Sequence, residues 1–429
     1  MDSDNHDWHI GRRRFLQATA GVAAGLVLGD QAGAAPAYRV GVGNSSDPYA
    51  ATERAIQASG QWPASAIAGK TVIIKPNLVI PAAASTGLTT DPQVVRAVVD
   101  RALAAGAARV QIVEYRGATD KWGLSGYSFF SDYDSRVSLV DLGSQPLSFV
   151  KVPRGMAYLS VYLPSMLVAA NTVFMSVAKL KTHGNAVASL AMKNLFGLPP
   201  IAPYQNSSIQ GRFAMHDRSV AQAVVDLNLA RPIHFAVVDG IWGMEGEGPL
   251  AGQPVSMNLV VSGRNAVAVD RVCLRAMDIP EASVQHLDYA ARKRLGPTSL
   301  AEVEVAGDAL APRAFVRATA QPIIEYPQPN PVGIVPSTGQ TTQITYSLDA
   351  PALTRVEILR TDDRRAAIQI VRTLQSWRQT QAGAQQIVWD GRDASGNILP
   401  VGWYVIRVQA TFAANVGAAC ATGRVWITG

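Results

Sequence analysis

Cysteine is nearly missing from this chain: Cys273 and Cys420 are the only two among 429 residues. Without a C-x-x-C pair the chain has no framework for an iron–sulfur cluster or a zinc-thiolate site. A disulfide between the two is open in an oxidising compartment, and two buried free thiols are the simpler expectation. Lysine is scarce too, with 8 residues against 30 arginines. Charged residues are 16% of the chain, and the net charge of +6 is scattered as single arginines. With no basic stripe and no interleaved aromatics, the pattern argues against a nucleic-acid surface. Beyond the N-terminus no apolar run is long enough for a transmembrane helix. Neither a P-loop nor a G-x-S-x-G elbow occurs, so nucleotide hydrolysis and serine-hydrolase chemistry have no support.

What is present begins at the N-terminus. "RRRFLQATAGVAAGLVLGDQAGAAPA" has paired arginines (Arg12, Arg13), then Phe15 and Leu16, a mild Ala/Gly/Val/Leu run, and an A-x-A site at Ala32-Gly33-Ala34. Residues 1–35 resemble a twin-arginine signal peptide. The resemblance implies the twin-arginine translocase as a partner during export, and the periplasm or cell surface as the destination. That route carries proteins already folded, often around a cofactor.

With 48% hydrophobic residues, the remainder has ample material for a core and length for two or three domains. Residues 36–320 read as an α/β domain. "TVIIKPN", "RVQIVE", "TVFMSVA", "HFAVVDG" and "NLVVSG" are short apolar strands. They alternate with helices at "TTDPQVVRAVVDRALAAGA", "NAVASLAMKNLFG", "DRSVAQAVVDLNLA" and "NAVAVDRVCLRAM". The pattern predicts a mostly parallel sheet covered by helices on both faces. Residues 321–336, "QPIIEYPQPNPVGIVP", read as a proline-rich linker. Residues 337–429 change to alternating strands with turns at Asp390-Gly391 and Gly396-Asn397, which predicts a small β-sandwich of immunoglobulin type.

Ligands of open α/β sheets bind beyond the carboxyl ends of the strands. Here those ends carry Lys75 and Asn77, then Glu114, then Lys179, Lys181 and His183, then Asp239 followed by Glu245 and Glu247. Lysine is a compact charge that neutralises an anion, or acts as a base once burial lowers its pKa, and arginine cannot do the second. Lys75, Lys181, His183 and Lys193 are therefore the candidates for chemistry. Asn77, Lys179, Asn194, Gly246 and Gly248 are candidates for holding a small anionic ligand, the glycines by turning backbone N–H groups toward it. His183, Asp239, Glu245 and Glu247, joined by His216, form a mixed nitrogen and oxygen set suited to a divalent metal. The plainer alternative is that the lysines neutralise Glu114, Asp239 and Glu245 in a buried cluster. Asp217 reads equally well as a helix cap, and His234 and His286 as structural.

The four motifs "VIIKPNLV", "GLTTDPQVVRAVVDRALAAGAARVQIVE", "KLKTHGNAVASLAMKNLFGLPP" and "AVVDGIWGMEGEGPLAGQPV" resemble, in order and spacing, domain-of-unknown-function family 362 over about residues 38–310. Members of that family are sometimes joined to iron–sulfur modules, which two cysteines cannot supply here. "QQIVWDGRDASGNILPVGWYVIRVQA" is similar to the immunoglobulin-like domain of the flagellar hook-capping protein. Trp389 and Tyr404 would be its core aromatics, and the domain would serve as an accessory stalk or docking module. The combined expectation is an exported protein whose α/β domain binds a small carboxylate or phosphate, with metal assistance as one form of it. The alternative is a non-catalytic periplasmic or surface binding protein docked by its sandwich.

Overall fold

A computed structural model describes residues 38–115, 120–205, 212–363, 367–413 and 418–429. The twin-arginine segment and its cleavage site lie outside the described residues.

The α/β part is built on one mixed sheet. Its strands are β1 (Tyr38–Asn44), β2 (Thr71–Pro76), β3 (Arg109–Glu114) and β4 (Val137–Asp141), followed after a small hairpin of β5 (Leu147–Lys151) and β6 (Ser160–Pro164) by β7 (Thr172–His183) and β8 (Val187–Ser189). The long β9 (Phe235–Glu247), β10 (Ala251–Gly263) and β11 (Val303–Gly307) complete it. The order is β11-β1-β10-β9-β7-β2-β3-β4, with β8 paired to β7. The contiguous run β9-β7-β2-β3-β4 is parallel, as the uninterrupted apolar strands predict. β10 returns antiparallel to β9 and brings β1 in antiparallel beside it.

Helices cover both faces, each with its own core. On one side Pro48–Ser59 and Pro92–Ala104 bury Ala51, Ala55, Val94 and Val98 against Ile74 and Ile112. On the other, Val220–Ala230, Ala266–Ala276 and Gln285–Arg292 pack on Ile73, Phe174 and Val238. The predicted helix start at Pro92 holds: Asp91 caps it by accepting from the Gln93 amide at 2.8 Å, and Pro92 sits where no intrahelical donor is needed.

The structure corrects two predicted elements. "NAVASLAMKNLFG" is not a helix; it divides into the short strand β8 and a 3-10 turn at Lys193–Gly197. Its apolar spacing serves a strand pair and a turn packed inside the core, where burial overrides helix propensity. The proline-rich segment 321–336 is not a free linker, because it contains β12 (Ile324–Asn330) and β13 (Gly333–Ile334). β12 lies at the edge of a sheet, where a proline that donates no hydrogen bond is tolerated.

The sandwich packs β12 with β14 (Thr342–Leu348) and β17 (Gly383–Trp389) against a second sheet. That sheet joins β13 to β15 (Ala352–Asp362), β16 (Ala367–Thr380), β18 (Gly402–Thr411) and β19 (Ala419–Ile427). Trp389 and Tyr404 are buried in its core with ring centroids 6.0 Å apart, edge to face.

This sandwich is not a dangling stalk. Residues 36–429 form one compact unit. The side-chain amide of Gln222 donates to the Thr422 carbonyl at 2.7 Å and accepts from the Thr422 amide at 2.9 Å, so it pairs with β19 as a neighbouring strand would. Arg218, fully buried and stacked on the Tyr158 ring, ion-pairs with Asp363. Arg424 donates to the carbonyls of Met156 and Ala157. Both cysteines are free thiols, and the Cys420 thiol donates to the Asp217 carbonyl in the same interface.

Candidate functional site

The strand-end lysines converge. Along β7, residues two apart point to the same face, so Lys179, Lys181 and His183 are presented together. Lys75 ends β2 next door, and the 3-10 turn brings Lys193. All of Lys75, Lys179 and Lys181 are buried, with exposures of 1%, 1% and 0%.

Their partners differ, and the difference matters. The Lys75 ammonium donates to Glu114 at 2.6 Å and to the Pro76 carbonyl at 2.7 Å. Glu114 also accepts from the amides of Leu78 and Tyr115, so this pair closes the end of β2 against β3. Lys179 donates to Asp239 at 2.9 Å, and Asp239 accepts in addition from the amides of Asp91 and Ile241. Lys181 has no carboxylate; it donates to the Leu88 carbonyl at 3.0 Å. Lys193 lies over the Phe196 ring, 4.2 Å from its centroid.

The electrostatics follow from that arrangement. Burial, reinforced by Lys179, Lys193 and Lys75, lowers Lys181 to about 7. Burial, with Arg212 as a further cation, lowers Lys193 to about 7. Lys75 is lowered by burial against the opposing pull of Glu114. Burial also pushes His183 well below its ordinary value and His216 to about 4, each with Lys193 as the next cause.

Two further cations belong to the cluster and were not singled out from the sequence. Arg212 stacks over the Tyr115 ring at 4.5 Å and donates to the Gly197 carbonyl at 3.0 Å. Lys121 donates to the Tyr115 carbonyl. Lysine scarcity is the signal that could have found Lys121, one of only 8 in the chain. Asp91, the cap of the helix Pro92–Ala104, also belongs here: burial, and then the neighbouring Asp239, raise its pKa.

The asparagines sit where expected but act mainly as brackets. Asn194 donates to the Lys75 carbonyl at 2.8 Å and to the Ser176 hydroxyl at 3.1 Å, tying the 3-10 turn to β2 and β7. Asn77 donates to Asn194 at 3.2 Å, and its own amide oxygen is buried without a partner.

The proposed metal set does not assemble. Glu245 accepts from the Val316 amide at 2.9 Å, Glu247 from the Thr319 amide at 2.8 Å, and Asp239 holds Lys179. His183 Nδ1 accepts from the amides of Asn185 and Ala186. Among the described residues no three His, Cys, Asp or Glu gather as ligands would. The cause is the length of β9, which continues to Glu247 and carries both glutamates past the lysines to face residues 313–319. Gly246 and Gly248 are likewise engaged: the Gly246 amide donates to Val316, and the Gly248 amide donates to Gly246. A Cβ on Gly248 would lie 2.1 Å from the Thr182 carbonyl, so that glycine permits the hairpin to close over β7 and cradles nothing. Asp217 does not cap the following helix either; Ser219 does.

An open cleft of about 410 Å³ lies beside the cluster, lined by residues 83–85, 91, 92 and 123–126. Its Ala84 carbonyl accepts from Lys179 at 3.5 Å. A second cleft of about 420 Å³, around Arg275, Asp278 and Glu281, shares no residue with the cluster.

These features define an α/β domain with a buried cationic cluster at its strand ends, packed in one compact unit with an immunoglobulin-like sandwich. Residues 72–275 match the family described as Domain of unknown function (DUF362), and residues 334–413 match the FlgD Ig-like domain. It is 25% identical over 131 residues to a thylakoid-associated protein of Synechocystis sp., covering 30% of this chain and 39% of that relative's length. Among solved structures, FlgD from P. aeruginosa is 21% identical, covering 24% of this chain and 70% of that one, with a TM-score of 0.18. The alkylpurine DNA glycosylase AlkC of Pseudomonas fluorescens, bound to DNA, is 16% identical over 26% of this chain and 31% of that one, with a TM-score of 0.18.

Proposed function

We propose that the α/β domain binds a small anion, a carboxylate or a phosphate, at the lysine cluster, and that the protein works after export. The observation that carries the first part is an imbalance of charge. Lys75 and Lys179 each hold a carboxylate, whereas among the described residues Lys181 and Lys193 hold none. A buried ammonium without a counter-charge is costly, and an anionic ligand removes that cost. The unpartnered Asn77 oxygen offers one further polar contact. A divalent metal is not part of this proposal, since the acidic residues are engaged elsewhere.

The test is thermal melting with inorganic phosphate, sulfate, oxalate and acetate, beside a Lys181→Met/Lys193→Met variant. A ligand at a hundred times its Kd stabilises by about 2.7 kcal/mol. The shift should appear in the parent protein and vanish in the variant. No shift with any anion would end this reading. Export rests on the arginine pair and the A-x-A site. Arg12→Lys/Arg13→Lys should leave the uncleaved precursor in the cytoplasmic fraction, and unchanged processing would contradict it.

A further inference from the structure

The four lysines of the cluster are in three different states, and one of them is set apart. Lys75 and Lys179 are tied to carboxylates, and Lys181 is fully buried with its ammonium on the Leu88 carbonyl. Lys193 makes no hydrogen bond among the described residues, lies over the Phe196 ring, and is less buried than the other three. From this geometry we infer that Lys193 is an imine-forming amine, and that its substrates are small carbonyl compounds carrying a carboxylate or phosphate, such as 2-oxo acids and aldehyde acids. The inference rests on the anion-binding reading, because Lys181 and Arg212 would hold the anionic group while Lys193 meets the carbonyl carbon.

Three observations favour an attacking amine over a fourth ammonium. No carboxylate accompanies Lys193 to hold it protonated, while Arg212 and Lys181 both oppose a further positive charge there. The Phe196 ring, its centroid 4.2 Å from the Lys193 nitrogen, covers one side of the amine and keeps water from it. With a pKa near 7, a large share of the amine is unprotonated at neutral pH, as a lysine nucleophile requires.

The second requirement of imine chemistry is a group that moves protons. Three buried imidazoles, His183, His216 and His286, each feel the charge of Lys193, and burial keeps all three neutral. His183 accepts backbone amides at Nδ1, which leaves its proton on Nε2. His286 Nε2 is buried without a partner. The step balances without an oxidant or reductant. The amine lone pair forms a bond to the carbonyl carbon, and the carbonyl π pair moves onto oxygen, which takes a proton. The nitrogen gives up both of its protons, one matching the proton taken by that oxygen and the second passing to the resulting hydroxyl, which leaves as water when the C–O bond breaks and the imine forms.

The test is reductive trapping. The intact chain is treated with glyoxylate and cyanoborohydride at neutral pH, and carboxymethylated lysines are mapped by peptide mass spectrometry. Exposed Lys70 and Lys151 serve as internal references. Lys193 should label more than about tenfold faster than either in the folded chain and at the same rate in urea, because only folding lowers its pKa. Lys181→Met, which removes the anion anchor, should slow the labelling of Lys193. Glycolaldehyde phosphate in place of glyoxylate distinguishes a phosphate-bearing from a carboxylate-bearing substrate. Labelling of Lys193 no faster than Lys70, or preferential labelling of Lys181, overturns the inference. If oxalate or phosphate still raises the melting temperature in that case, anion binding stands and only the imine fails. If neither effect is seen, both fail together.

Discussion

Lys181 shows what a single side chain does when burial acts on it without a counter-ion. Its pKa falls to about 7 in the folded protein, while the unfolded chain keeps the ordinary value near 10.5. Between those values the unfolded state binds more protons than the folded one, so stability rises as pH rises through that window. Below about 7 both states are protonated and the dependence disappears. Asp270 behaves oppositely. Burial raises it to about 7, though it accepts from the amides of Ala191 and Met192. The folded state then binds the extra proton, and stability falls as pH rises from about 4 toward 7. Together the two groups place a local minimum of stability near neutral pH, where an anionic ligand would relieve the lysine. In ligand-free protein, Lys181→Met should reduce the rise above pH 7 by on the order of a few kcal/mol by pH 10, leaving the part due to Lys193, and Asp270→Asn should flatten the fall below it. Urea unfolding across pH 4 to 10 measures both. An unchanged profile in Lys181→Met would show that the lysine is charged in the folded state at all these pH values.

At the scale of elements, what could be read from the sequence depended on how local its causes were. The helix after Asp91 was legible because its cap, its proline and its apolar spacing are all within one stretch. β2 and β3 were legible because strands buried on both faces read as continuous apolar runs. Segment 185–197 was misread because a small-residue run suits a helix, a strand or a turn equally. What decides between them is Asp270, far away on the helix Ala266–Ala276, whose carboxylate holds the Ala191 and Met192 amides just before Lys193. β9 was read as ending near Asp239, and its extension to Glu247 depends on pairing with β10. That extension removed both glutamates from the cluster. Lys179, Lys181 and His183 share one face of β7, as alternate residues of one strand must, and that placement is legible from their spacing.

At the scale of the whole molecule, the sandwich is part of the α/β fold's own support. Thr422 on β19 lies against Gln222 of the helix Val220–Ala230, and Asn228 of that helix donates to the Met192 carbonyl beside Lys193 at 3.1 Å. A physical chain of contacts thus runs from the sandwich to the cluster. Cutting the chain after residue 320 would expose Arg218, buried without contact to solvent, and strip Gln222 of its pairing groups. We expect that fragment to be destabilised by more than about 5 kcal/mol, from the loss of a buried ion pair and several buried hydrogen bonds. Calorimetry of the intact protein should show one unfolding transition for residues 36–429. Two well-separated transitions, or a soluble and fully folded fragment, would show the sandwich to be an independent module instead.

The sequence alone determined the class of each domain, the strand ends where charge collects and the aromatic core of the sandwich, because these depend on periodicity, turn chemistry and burial within short segments. Which lysine meets a carboxylate and which does not was decided only in three dimensions. Glu114 reaches Lys75, Asp239 reaches Lys179, and among the described residues no carboxylate accompanies Lys181 or Lys193. Charge compensation acts between side chains brought within a few ångströms by strand order and register, and neither is written in the spacing of any one segment.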